Sequence, residues 1–260
     1  MSLRIGIAGI TGQVGRLLID EIGRAGATLS GGTIRPASSK SVPPGIATFT
    51  DLEELAAVSD VVIDFTHADV VIPNARALTA KKTAWVIGTS GLTAADEAAM
   101  QAAAKTIPVL YAPSFAPTAV LTPELVTTLA SSLPTADYDV EILETHHKHK
   151  VDAPSGVAIA VGKHIAKARG QVFDEVAVLG RSGNVGPRKP GAIGFGAIRA
   201  GEIVGETSVF FLSDDEQIVL TRRVLDRSVY SAGSVFAARW LAKKPPGFYS
   251  MKDVLQGRER

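Results

Sequence analysis

Leu3-Arg4-Ile5-Gly6-Ile7-Ala8-Gly9-Ile10-Thr11-Gly12-Gln13-Val14-Gly15 opens the chain with a short isoleucine-rich apolar run and a glycine turn. The amphipathic stretch Arg16 to Arg24 follows directly, so the order is strand, turn, helix. Spacing assigns each glycine a task. Gly9 permits the tight turn, Gly12 lets backbone approach a pyrophosphate, and Gly15 allows the helix to pack closely on the strand. Free N–H groups at the helix start would then meet phosphate, which makes Gly9, Ile10, Thr11, Gly12, Gln13 and Val14 the expected dinucleotide-binding turn.

Further apolar runs at Ala27 to Ile34, Val61 to Phe65, Ala84 to Ile87 and Val109 to Ala112 alternate with helical patterns at Leu52 to Val58, Ala68 to Ala80 and Ala94 to Lys105. Alternation of this kind predicts a doubly wound parallel sheet covered by helices on both faces. After about Pro117 the texture changes. A helical segment over Pro123 to Ser132 precedes a strand, Tyr138 to Glu144, and a second helix spans Val157 to Arg169. Strand-like runs at Gly205 to Leu212 and Gln217 to Val224 complete an α+β unit with a mainly antiparallel sheet, and Ser231 to Lys243 reads as a helix returning to the first domain. Between them Gly180 to Gly196 holds six glycines and two prolines with Arg181, Arg188 and Lys189, which predicts a mobile, positively charged loop.

Composition bounds the function. With 260 residues, 46% hydrophobic and 20% charged, the chain is an ordinary globular sequence, and a net charge of +1 supplies no field for nucleic acid or a membrane surface. There are no cysteines, which excludes disulfides, thiolate metal sites and a cysteine nucleophile, and fits a reducing cytoplasm. No apolar stretch approaches the roughly 20 residues that span a bilayer, and nothing at the start reads as a signal peptide.

A site for NAD would carry an acidic residue about 20 positions beyond the glycine turn to hold the ribose 2′-OH. None lies between Glu21 and Asp51; Arg35 instead follows the second strand, with Ser38, Ser39 and Lys40 behind it. Those groups suit a 2′-phosphate, so NADPH is the preferred cofactor, with NADH possible. Gly88-Thr89-Ser90-Gly91 lies at the carboxyl end of another strand, where small hydroxyl residues would face a nicotinamide.

Glu144-Thr145-His146-His147-Lys148-His149-Lys150-Val151-Asp152-Ala153-Pro154-Ser155-Gly156 concentrates three of the five histidines with two lysines. Imidazole titrates near neutral pH, and lysines beside it attract anions, so the run reads as a proton or anion site. No metal is expected, because His146 and His147 on a strand point to opposite faces and no thiolate supplements them. Ser155 caps the following helix, whose first amides, at Gly156 and Val157, offer an anion cradle.

On these motifs, together with Arg199-Ala200-Gly201-Glu202-Ile203-Val204-Gly205-Glu206 and Phe248-Tyr249-Ser250-Met251-Lys252-Asp253-Val254-Leu255, the chain resembles the 4-hydroxy-tetrahydrodipicolinate (dihydrodipicolinate) reductase family of bacterial lysine and diaminopimelate biosynthesis. The resemblance implies hydride transfer from NAD(P)H to C4 of a cyclic dicarboxylate, followed by protonation. It makes His146 the proton donor with Lys150 assisting, and gives substrate carboxylate to His147, Ser155, Gly156 and Val157. Cofactor contacts map onto Gly9 to Val14, Arg35, Gly88, Thr89, Ser90 and the crossover Ala112, Pro113, Ser114 and Phe115. The implied layout is a Rossmann-type dinucleotide-binding domain over 1–117 plus 227–260, and a substrate-binding and tetramerisation domain over 118–226. A cytoplasmic homotetramer is expected.

Three positions depart from the family pattern. Ser155-Gly156-Val157 stands where Ser-Gly-Thr is usual, Ala116-Pro117-Thr118-Ala119-Val120 where Ser-x-Gly-Val-Asn is usual, and Ile34 replaces an acidic residue after the second strand. The last shifts preference toward NADPH. The first two leave open a diverged reductase acting on another cyclic dicarboxylate. A non-catalytic NADPH-binding sensor is a third reading, since the glycine turn is shared with such proteins.

Overall fold

The computed structural model describes residues 2–35 and 41–257, and it divides into two units, 1–117 with 228–260 and 118–227. In chain order the first unit contributes β1 (Arg4–Ala8), α1 (Gln13–Arg24), β2 (Thr28–Thr33), β3 (Thr48–Phe49), α2 (Leu52–Ala57), β4 (Val61–Asp64), α3 (Val71–Lys81), β5 (Ala84–Ile87), α4 (Ala94–Ala103) and β6 (Pro108–Tyr111). There follow α5 (Pro117–Ser132), β7 (Asp139–His146), α6 (Gly156–Ala168), α7 (Phe173–Val176), β8 (Ala177–Val178), β9 (Ile193–Arg199), β10 (Gly205–Leu212) and β11 (Gln217–Val224). The chain then returns to the first unit as α8 (Ser228–Leu241), β12 (Gly247–Tyr249) and α9 (Met251–Gln256).

The first unit is a seven-stranded, all-parallel sheet in the order β12-β6-β5-β4-β1-β2-β3. β1 and β4 are neighbours although two strands separate them in sequence, so the strand order reverses there, and in such sheets ligands bind outside the carboxyl ends at that reversal. Strands β4 and β5 are buried at every position, as a sheet covered on both faces requires. One layer of the core gathers Leu55, Val62, Leu78, Trp85, Ile87 and Met100, each fully buried and worth about 1.5–3 kcal/mol in transfer terms.

The second unit is a five-stranded sheet in the order β11-β10-β7-β9-β8. Its long ladders β11–β10 and β10–β7 are antiparallel, as the sequence leads one to expect, whereas β9 joins β7, and β8 joins β9, in parallel. Val140 and Ile142 of β7, Phe195 of β9 and Val209 and Phe211 of β10 share a core with Val126 of α5 and Ala158, Val161 and Ile165 of α6. β7 alternates strictly from Val140 to Glu144, so Val140, Ile142 and Glu144 are buried on one face.

Two expectations need correction here. The glycine-rich segment ends in a strand, β9, which begins at Ile193; glycine depresses strand propensity, and the parallel partner β7 supplies what the local sequence does not. The preceding loop is also not free positive charge. Arg181 makes paired 2.8 Å bonds to Glu141, while Arg188 bonds to Asp139, Glu141 and the carbonyls of Val140 and Ala192. Helix α5 begins at Pro117, not at Pro123, which lies inside it; Pro123 reads as a helix start because proline favours that position.

Candidate active site

The carboxyl edge of the parallel sheet carries every residue of the first unit expected to touch a cofactor. Gly9 to Val14 follow β1, Arg35 follows β2, Gly88 to Ser90 follow β5, and Ala112 to Phe115 follow β6. Gly9 adopts φ +79°, and a Cβ on Gly15 would lie 2.4 Å from the Gly9 carbonyl oxygen, so the turn admits no side chain at Gly15. Gly12 N–H donates to the Gly9 carbonyl and closes the turn. The N-cap, Gly12, has no side chain, and the first turn of α1 carries no acidic residue, so its amides are left for an anion. Arg35 is exposed, while Ser38, Ser39 and Lys40 lie outside the described residues. Thr89 is buried, and its hydroxyl oxygen has no hydrogen-bond partner. A buried orphan hydroxyl on the same sheet edge as uncapped amides fits a polar cofactor.

Asp64, at the end of β4 on the same edge, escaped the sequence reading. Its buried carboxylate accepts from the Thr66 amide and hydroxyl, Asn74 Nδ2 at 2.9 Å and Trp85 Nε1 at 3.2 Å. It thereby ties the β4 turn to α3 and β5.

In the second unit the histidine run leaves β7, and Glu144 organises it. Glu144 is fully buried; its Oε2 lies 2.5 Å from His146 Nδ1 and accepts from Arg199 Nη1 at 2.9 Å, while its Oε1 accepts from Arg199 Nη2 at 2.6 Å and the Ser155 amide at 3.2 Å. Burial pushes this carboxyl up, but the bonds from Arg199 and His146 more than reverse that and hold it below the ordinary glutamate range. Arg199 is the β9 register partner of His146 and also donates to the carbonyls of Ile198 and Asp152.

His147 leaves its Nδ1 buried without a partner. Lys150 bonds to Asp152 at 2.6 Å and holds that exposed carboxyl below its usual range. Ser155 caps α6 by accepting from the Ala158 amide at 3.3 Å, which leaves the amides of Gly156 and Val157 unused by the cap. One network therefore joins His146, Glu144, Arg199, Asp152, Lys150 and the start of α6. Lys148 and His149 stand outside it, 3.5 Å and 3.6 Å from Glu202 on the surface, where such pairs contribute little. Among the described residues, no group of His, Asp and Glu is arranged to hold a metal ion.

Against known families, residues 3–115 match the model for dihydrodipicolinate reductase, N-terminus, and residues 118–255 match that for dihydrodipicolinate reductase, C-terminus. The chain belongs to the dihydrodipicolinate reductase family. It is 52% identical over 254 residues to the 4-hydroxy-tetrahydrodipicolinate reductase of Granulibacter bethesdensis, covering 98% of this chain and 97% of the relative. It is 49% identical to the enzyme of the same name from Gluconacetobacter diazotrophicus, covering 97% of each. Among solved structures it is similar to a dipicolinate-bound dihydrodipicolinate reductase from Paenisporosarcina sp. TG-14, with a TM-score of 0.79 and 21% identity over 96% of this chain and 98% of that one. At that identity the likeness speaks for the fold. Sequence reading had singled out His146 and Lys150 but assigned no task to Glu144 or Arg199. The signal for Glu144 was present, since residues two apart on a strand share a face.

Proposed function

We propose that this chain of the dihydrodipicolinate reductase family reduces 4-hydroxy-tetrahydrodipicolinate to tetrahydrodipicolinate with NAD(P)H, in diaminopimelate and lysine biosynthesis. The observation that carries the reading is the Glu144-anchored imidazole of His146, in one network with the first turn of α6. A proton source and an anion cradle are what reduction of a cyclic dicarboxylate needs.

In the first unit, the turn Gly9, Ile10, Thr11, Gly12, Gln13, Val14 offers its amides to the pyrophosphate and Arg35 faces the 2′-phosphate of NADPH, the preferred form. Gly88, Thr89 and Ser90, with Ala112 to Phe115, orient the nicotinamide end. Loss of the 4-hydroxyl as water leaves a conjugated imine, and the reduced cofactor, held there, would supply a hydride to its C4. His147, Ser155 and the amides of Gly156 and Val157 hold substrate carboxylate. His146 gives a proton to the enamine formed by the addition, and Lys150, oriented by Asp152, assists with its positive charge.

The outer face of the second sheet supports self-association into a homotetramer. Leu143 of β7 and Val219 of β11 are 37% and 42% exposed there, apolar surface of the sort that marks protein contacts. A cytoplasmic location accords with a reaction that draws on reduced nicotinamide. Among the described residues, no helix is long and apolar enough to cross a membrane.

The test is NADPH oxidation on addition of freshly made product of the preceding synthase reaction. Turnover dependent on that substrate is expected; folded protein that oxidises neither nicotinamide would reject the proposal.

A further inference from the structure

We infer that Glu144 and Arg199 form a positioning pair that fixes which nitrogen of His146 exchanges the proton. The inference rests on the reading of His146 as proton donor. Glu144 has no solvent contact and receives two guanidinium N–H bonds and one amide N–H bond, from Arg199 and Ser155. A carboxylate so surrounded is ionised and acts only as an acceptor. The 2.5 Å contact to His146 Nδ1 is therefore an N–H donated by the imidazole, and the exchangeable site is Nε2.

Space at that nitrogen is kept by the backbone. A Cβ on Gly205, at the start of β10, would stand 3.0 Å from Nε2 and 3.2 Å from Cδ2 of the ring. Gly205 is buried, so a side chain there would crowd Nε2, where the proton must leave. Arg199 in turn cannot wander. Its two terminal nitrogens are committed to Glu144, the Ile198 carbonyl at 2.8 Å and the Asp152 carbonyl at 2.6 Å, so it acts through Glu144 and does not reach for substrate with those groups. By this arrangement β7 supplies both the imidazole and its anchor, and β9 supplies the cation that keeps the anchor charged. Glu144 is not itself a proton source.

The experiment is Glu144→Gln, read by steady-state kinetics and by nitrogen NMR of the histidine rings. In the unaltered protein, with His146 neutral, one tautomer with hydrogen on Nδ1 is expected. In the variant both tautomers should appear, because a carboxamide accepts through oxygen or donates through nitrogen. The maximal rate should fall on the order of a hundredfold or more, while KM for NADPH stays within roughly twofold. Glu144→Asp serves if the first variant folds poorly: it keeps the buried charge paired with Arg199 but withdraws the acceptor from Nδ1, and should lose rate in the same way. A single Nδ1–H tautomer with an undiminished rate in both variants would overturn the inference. His146→Gln separates the two ideas. If that change leaves the rate intact, the donor assignment fails, whereas the tautomer measurement still decides the positioning role.

Discussion

His146 and Arg199 are register partners on the parallel strands β7 and β9, and both bond to the buried carboxylate of Glu144. The imidazole is thus held from behind while its other edge faces Gly205. Replacing it by a side chain that cannot deliver a proton should act on the chemical step. His146→Gln is expected to lower kcat by about 10²–10⁴-fold, with KM for NADPH within roughly twofold. Steady-state rates against each substrate check this; an unchanged kcat removes His146 from the mechanism.

Arg35 stands exposed just beyond β2, where no acidic side chain is present to read a ribose hydroxyl. Arg35→Ala should raise KM for NADPH about tenfold, the loss expected for one charge-assisted contact, and leave KM for NADH nearly unchanged. Equal effects on both cofactors would show that Arg35 does not contact the 2′-phosphate.

Val157 occupies the first turn of α6 and is 44% exposed, so a hydroxyl placed there costs little packing. Val157→Thr adds a donor beside the amides proposed to hold carboxylate. KM for the dicarboxylate should fall by about threefold to tenfold, the net worth of one ordinary hydrogen bond, with stability almost unaltered. A rise in KM would mean that the substrate of this chain prefers the apolar side chain.

Asp64 accepts from donors in the turn after β4, in α3 and in β5, and is wholly buried. In Asp64→Asn one oxygen becomes a donor facing Asn74 or Trp85, so a buried donor loses its acceptor. The first unit should lose about 1–3 kcal/mol, seen as an earlier urea midpoint. A midpoint identical to that of the unaltered protein would show that the turn is held by other means.

Glu141 gives a pH signature. Burial pushes its carboxyl up, and Arg181 and Arg188 more than reverse this, so its folded pKa lies below its unfolded one. A group with a depressed folded pKa contributes stability above its unfolded pKa, about 4.3, and that contribution is lost as pH falls through the folded value. Glu141→Gln should therefore cost about 1–3 kcal/mol at neutral pH, and the difference from the unaltered protein should shrink to nothing in acid. Denaturation curves at both ends of that range decide it; a difference that persists in acid would assign the effect to shape and not to charge.

The parallel sheet was legible because β1, β4 and β5 are buried apolar runs each followed by a helix, so local pattern and tertiary role agree. The second unit was legible in part. β7, β10 and β11 announce themselves by composition, but β9 is glycine-rich and owes its conformation to pairing with β7. The same gap concealed the centre of the candidate site. His146 was visible by its chemistry, whereas Arg199 joins Glu144 across a separation of 55 residues and depends on the strand that the sequence does not reveal. Arg181 and Arg188 suggested loose charge for a like reason: their acceptors, Glu141 and Asp139, lie 40 and 49 residues earlier in the chain.

The second unit interrupts the first, which resumes at Ser228. A chain emerging from the ribosome presents β1 to β6 early, yet α8, which packs on β4, β5 and β6, and β12, which pairs with β6, come only after the whole of the second unit. The continuous unit can close on its own residues as it is made. The parallel sheet, by contrast, keeps an unpaired β6 edge and an uncovered apolar surface throughout that interval, and an open edge of this kind is where wrong strand pairing begins. Truncation after Arg227 should accordingly give a chain whose second half is native-like and whose first half aggregates.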